Sequence, residues 1–157
     1  MTRTAFLLAC GFCLLVEGDS WAAATLKVGK ASGKAGETVG LPIALSAGAK
    51  LPVGLQFSLT LPVGVSTVSV TPSAALTPSK KIVRTNLKEN SWAFVVYSPE
   101  NKDALAKGTL LTAYVRIAPG TPAGTLGVPI AGAVFVDADG GVIAAGANSG
   151  GSIRVIP

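Results

Sequence analysis

The chain contains no histidine, and both of its cysteines, Cys10 and Cys13, lie near its start. Without an imidazole, Ser–His–Asp and Cys–His nucleophile systems have no group to shuttle the proton. Zinc sites built from His and Cys lose their ligands for the same reason. No glycine-rich loop opens a helix, so a phosphate cradle is not expected either. A glycosidase needs only two carboxyl groups facing each other across a cleft and must be tested separately. Beyond residue 24 the acids are Glu37, Glu89, Glu100, Asp103, Asp137 and Asp139. All six fall in or beside turn segments, and none sits mid-strand where a sheet could aim it inward. Asp137, Asp139 and Gly140 resemble the opening of a calcium loop, but the later ligands, including the bidentate Glu, are missing. A hairpin turn is the better account. No catalytic residue, metal site or cofactor is expected.

Binding chemistry remains. The formal charge of +5 is spread along the chain, and its densest basic cluster is Lys80, Lys81 and Arg84. Nucleic-acid binding calls for a concentrated basic stripe with aromatic platforms between the charges, so no nucleic-acid partner is expected. A solvated basic face is the simpler reading, with attraction to an anionic glycan or cell envelope as the alternative. Trp92, Tyr97 and Tyr114 are the side chains available for a sugar-stacking strip. Trp92 shares its parity with Phe94 and Val96, which assigns it to a core. Tyr97 and Tyr114 are then the exposed aromatics, a thin basis for carbohydrate binding.

The elements that position these residues read as β-structure behind a targeting segment. Arg3, the apolar run from Ala5 to Val16 and the small residues from Ser20 to Ala24 form a secretory leader, with cleavage expected after Ala22 or Ala24. The run is shorter than the roughly 20 residues a membrane-spanning helix needs, and Glu17 and Asp19 follow it at once, so no span is expected after leader removal. Leu7, Leu8, Ala9 and Cys10 resemble a lipobox with too little apolar length ahead of it. Residues 25–157 then form one domain, free of cysteine, stabilised by a packed core rather than by cross-links. The protein is expected outside the cell or on its envelope.

From Thr25 onward apolar residues recur with a period near two, interrupted by Gly, Pro, Ser and Asn clusters. Leu55, Phe57, Leu59 and Leu61 alternate with Gln56, Ser58 and Thr60, and Leu111, Ala113, Val115 and Ile117 with Thr112, Tyr114 and Arg116. One face of each strand is therefore buried and the other wet. Further strands are expected at Thr25–Val28, Thr38–Ser46, Ser66–Val70, Lys81–Thr85, Ser91–Ser98, Leu126–Ile130, Ala133–Val136, Val142–Ala145 and Gly151–Ile156. Asp139, Gly140 and Gly141 mark a tight hairpin turn. No helical stripe stands out. The fold class is all-β, a two-sheet antiparallel sandwich in a single domain.

The order of these segments resembles the bacterial cohesin domains, the scaffoldin modules that dock dockerin-bearing enzymes in cellulosomes. The likeness runs through Leu26-Lys27-Val28-Gly29-Lys30, Gly33 to Val39, Leu41-Pro42-Ile43 and Gly54 to Thr60. It continues through Lys107 to Ile117, Ala133 to Asp139 and Gly150 to Val155. What the resemblance implies is jelly-roll topology and a sheet face that binds a dockerin-like extracellular protein, with a link to polysaccharide degradation. Placed on this chain, the implied partner-binding residues are Gln56, Ser58, Arg84, Asn86, Val95 and Tyr97. The chain departs from the family where the best-known cohesins carry an Asn and an Asp that hydrogen-bond the dockerin, showing Gly54 and Gln56 there. It also has Leu61-Pro62 in place of a Tyr-Asp-Pro ending. The alternatives to a protein-binding module are a carbohydrate-binding module and an envelope or matrix protein that self-associates along exposed strand edges.

Overall fold

A computed structural model describes residues 23–157; the leader, with Arg3, Cys10 and Cys13, lies outside the described residues. Among the described residues the secondary structure is entirely strand. In chain order the strands are β1 (Thr25–Val28), β2 (Lys30–Lys34), β3 (Thr38–Ser46), β4 (Gly54–Thr60), β5 (Val65–Pro72) and β6 (Ile82–Lys88). They continue as β7 (Ser91–Tyr97), β8 (Gly108–Ile117), β9 (Gly124–Val128), β10 (Ile130–Val136), β11 (Val142–Ile143) and β12 (Gly151–Ile156).

Two antiparallel sheets form the sandwich, one ordered β1-β3-β8-β5 and the other β11-β10-β4-β7-β6. This is the jelly-roll architecture expected, with one addition: a small third sheet, β2-β12-β9, in which β2 and β12 run parallel. The third sheet arises because two strands change partners partway. The first leaves β3 at Gly29 and continues as β2 beside β12; the other leaves β12 at Pro129 and continues as β10 beside β4. The Gly29 amide donates to the Pro42 carbonyl over 2.7 Å, and a Cβ on Gly151 would overlap the Gly29 carbonyl oxygen. The backbones meet too closely at this corner for any side chain.

The alternation in the sequence becomes the core. Leu41, Ile43, Leu111, Ala113 and Val115 face inward from one sheet, and Leu55, Phe57, Leu59, Trp92, Phe94 and Val96 from the other, all buried. Phe57 and Phe94 are register partners, and their rings stack with centroids 4.7 Å apart and planes within 4°. Trp92 tilts onto Phe94 at 4.7 Å and 49°. Such contacts add specific aromatic attraction to the burial of large apolar surfaces.

Several segments differ from expectation: β5 extends past the expected Ser66–Val70 at both ends, and β11 stops at Ile143, short of the expected Ala145. Lys30–Lys34 forms a strand where none is expected, because β12 supplies the backbone partners that its small and polar residues do not signal. Strand β6 runs on to Lys88, past the expected end at Thr85, held by pairing along all of β7. The segment expected as one strand over Leu126–Ile130 is split at Pro129, and Ile130 begins β10. Strand β10 starts before the expected Ala133 because the glycine that seems to break it sits in a β-bulge: Ala131 pairs with Ser58 and Val134 with Gln56, and Gly132 adopts φ +63° in the extra residue's turn. A second bulge, between Ile43 and Ala44, lets Leu110 and Leu111 both point inward.

Phe94 is fully buried and stacks on Phe57, so Phe94→Ala is expected to lower unfolding free energy by about 3–5 kcal/mol. Urea unfolding followed by tryptophan fluorescence measures this, Trp92 lying against the same ring.

Candidate binding face on the five-stranded sheet

Strand β7 is flanked by β4 and β6, and its register fixes which outward side chains become neighbours. Val95 pairs with Gln56 on one side and Arg84 on the other, and Ala93 pairs with Ser58 and Asn86. Paired residues point to the same side of a sheet, so Arg84, Val95 and Gln56 form one straight row and Asn86, Ala93 and Ser58 the next. Tyr97 heads a third row beside Ile82. All six residues assigned from the sequence therefore lie together on one face. Strand β10 widens it, placing Val134 beside Gln56 and Ala131 beside Ser58.

The face has an apolar centre and polar margins. Val95 and Tyr97 are each 38% exposed, a substantial apolar surface for side chains flanked by partly exposed Ala93 and Val134. Gln56, Ser58, Arg84 and Asn86 surround them, and among the described residues their side chains make no hydrogen bond within the chain. Their donors and acceptors stay available to a partner, as in the rim of a protein interface. The face carries Arg84 and Lys88 and no carboxylate on β4, β6, β7 or β10.

Sequence reading missed two features. The first is a depression of about 360 Å³ at the head of the face, with Gly54 at its floor and Val53, Tyr97, Val134, Val136 and Lys102 around it. Gly54 lies opposite Val136, and the dip exists because that position has no side chain. Its only signal in the sequence is a glycine at the start of an otherwise regular strand. The second is the loop that bounds the dip. Ser98 Oγ accepts from the amides of Glu100 and Asn101 at 3.2 and 3.3 Å. Asn101 Nδ2 donates to the Ser79 carbonyl at 3.0 Å, while its Oδ1 accepts from the Asp103 amide at 3.1 Å and Lys81 Nζ at 3.5 Å. Lys81 is the buried charged residue of this region; burial pushes its ammonium group down from the usual lysine range, and the Asp103 carboxylate opposes that shift. Leu105 closes the loop, buried, with its amide on the Pro52 carbonyl at 2.8 Å.

The geometry disfavours a sugar-stacking strip. Trp92 is buried, as its parity requires. Tyr97 faces outward from the five-stranded sheet, whereas Tyr114 faces outward from the four-stranded sheet, lying over Gly40. The two tyrosines sit on opposite sides of the molecule.

No family model matches the chain, and no curated protein does. Solved structures do match, and they share the cohesin fold. A non-cellulosomal cohesin from the hyperthermophilic archaeon Archaeoglobus fulgidus superposes with a TM-score of 0.72 at 16% identity, over 87% of this chain and 93% of that one. The sixth cohesin of scaffoldin B from Acetivibrio cellulolyticus, solved in complex with a Cel5 dockerin, gives 0.73 at 16% identity, over 85% and 99%. The cohesin–dockerin complex Coh-OlpA-Doc918 from Clostridium thermocellum gives 0.75 at 13% identity, over 85% and 99%. The chain thus has a cohesin-like fold across nearly all of its described length.

Just beyond Val136, the turn that closes the face is built around Asp137. Its Oδ1 accepts from the Gly141 amide at 2.8 Å and the Asp139 amide at 3.0 Å, and Oδ2 receives Lys50 Nζ at 3.5 Å. The Asp137 carboxylate, accepting from the Asp139 and Gly141 amides, therefore builds a hairpin turn. The Gly141 amide, then the Asp139 amide and Lys50, hold the Asp137 carboxyl below the usual carboxylate range, against an opposing effect of burial. A carboxyl depressed in the folded state stabilises the fold above its unfolded pKa, about 3.9, and that contribution is lost as pH falls through the folded value. Melting temperatures of wild type and Asp137→Ala are expected to differ most at neutral pH and to converge as the pH is taken below 3.9. A difference that stays constant with pH contradicts this role.

Proposed function

We propose that this chain is a secreted, non-catalytic module that binds an extracellular protein partner, dockerin-like in its use of a helical surface, through the outward face of the five-stranded sheet. The observation that carries the reading is the register that sets Gln56, Ser58, Arg84, Asn86, Val95 and Tyr97 side by side on one face with their polar groups unengaged. Cohesins with this fold are found in complexes with dockerins, which supports a protein as the partner. The absence of histidine from the chain supports a role without acid–base chemistry. Gly54 and Gln56 stand where the best-known cohesins carry Asn and Asp, so the partner's contacts differ in detail from theirs.

Secretion rests on the leader-like segment, and the fold bears on where that segment ends. Ala24 is buried, its amide donating to the Ala144 carbonyl at 3.2 Å and its carbonyl accepting from Gly146 at 2.9 Å. Of the two expected cleavage positions, the one after Ala22 keeps these bonds. The mass of the mature secreted protein is expected to begin at Ala23; a product beginning at Thr25 refutes that choice.

Affinity in such interfaces concentrates in a few desolvated aromatic anchors, and Tyr97 is the exposed aromatic of this face. The immobilised mature protein is expected to retain a specific secreted protein that Val95→Lys abolishes. In calorimetry with that purified partner, Tyr97→Ala is expected to weaken binding by about 2 kcal/mol, roughly 30-fold. Retention unaffected by both substitutions overturns the assignment of this face.

A further inference from the structure

The depression at Gly54 makes the head of the flat face concave, and its lining and charge bear on what enters it. Gly54 has no positive φ, so its backbone does not demand glycine. A Cβ there would lie 3.2 Å from the Val96 carbonyl oxygen and 3.9 Å from Tyr97 Cβ, within the space that the dip occupies. A branched residue there would project into it and narrow it. The walls are mainly valine side chains and Tyr97, with Gln56, Ser98, Asn101 and Lys102 at the edge, and the volume of about 360 Å³ is at the small end of the roughly 300–1,000 Å³ typical of ligand clefts. Its predominantly valine lining suits a branched or aromatic side chain.

The rim carries a cation with nothing to neutralise it. Lys102 borders the dip and makes no ion pair among the described residues. The nearby acids are engaged elsewhere: Glu100 pairs with Lys80 at 3.0 Å, Asp137 with Lys50 at 3.5 Å, and the charge of Asp103 acts on Lys81. Arg84, in the row below Tyr97, adds a second positive charge on a face without carboxylates.

Resting on the protein-binding reading above, we infer that the Gly54 depression is the specificity pocket of the face, taking one Leu, Ile, Met or Phe side chain of the partner while a neighbouring Asp or Glu pairs with Lys102. An apolar anchor seated in a desolvated pocket supplies affinity, and the rim charge fixes orientation and excludes basic partners.

The test is selection of a displayed library of 20-residue helix-forming peptides, randomised on one face, against the wild-type protein at low salt. Enriched peptides are expected to share an apolar residue within one helical turn of Asp or Glu. Their affinity is expected to fall at least tenfold on Gly54→Val and on Lys102→Glu, and to change less than twofold on Val68→Lys, which alters the edge strand β5. Because a side chain at 54 crowds the Val96 carbonyl, Val136→Lys fills the same dip from the opposite strand and must reproduce the loss in a variant with wild-type melting temperature. Peptides indifferent to Gly54→Val and Val136→Lys but lost on Val95→Lys overturn the pocket and leave the binding face standing. Peptides indifferent to all three, or no enrichment, overturn both.

Discussion

The stack of Phe57 on Phe94 at the centre of the sandwich settles more than the core. In a strand, successive side chains point to opposite sides, so burying Phe57 with Leu55 and Leu59 forces Gln56 and Ser58 outward. Burying Phe94 with Trp92 and Val96 likewise forces Ala93, Val95 and Tyr97 outward. A slip of one residue would exchange the two sets and expose three aromatic rings. The candidate binding face is thus the obverse of the hydrophobic core and inherits its precision from core packing.

Closure of the sandwich depends on a different constraint, the need of every backbone amide and carbonyl for a partner. The first strand and the β9–β10 segment meet it by exchanging neighbours at Gly29 and Pro129, which creates the small sheet containing β2, β9 and β12. At the first exchange, glycines allow the chains to approach; at the second, proline has no amide to pair. The bulge at Gly132 then restores the alternation so that Val134 and Val136 join the outward face. Local departures from regular strand geometry therefore complete the candidate site rather than interrupt it.

The electrostatics of the five-stranded face follow from where the chain uses its carboxylates. Glu37, Glu100 and Asp137 are engaged in turns and surface ion pairs, as when Glu37 Oε2 accepts the Lys34 amide at 2.8 Å. What remains on the five-stranded face is positive charge, amide side chains and a short apolar ridge. In the proposed binding role, that combination would steer and orient an acidic or neutral partner.

Much of this was legible in the residues themselves. Two-residue alternation identified the all-β class, the inward parity of Trp92 and the outward parity of Tyr97, because side-chain direction along a strand is a local property. The turn at Asp137 to Gly141 was legible for the same reason, carboxylate and glycines acting on their own backbone. The strand at Lys30–Lys34, the split at Pro129 and the bulge at Gly132 were not, since each depends on which distant strand supplies hydrogen bonds. The dip at Gly54 lay beyond sequence reading too. A missing side chain becomes a cavity only when Val136 from one strand, Tyr97 from another and Lys102 from a loop are brought around it. The sequence by itself determined which side of each strand faces water; tertiary pairing decided which water-facing residues stand together, because neighbours across a sheet are set by register and not by distance along the chain.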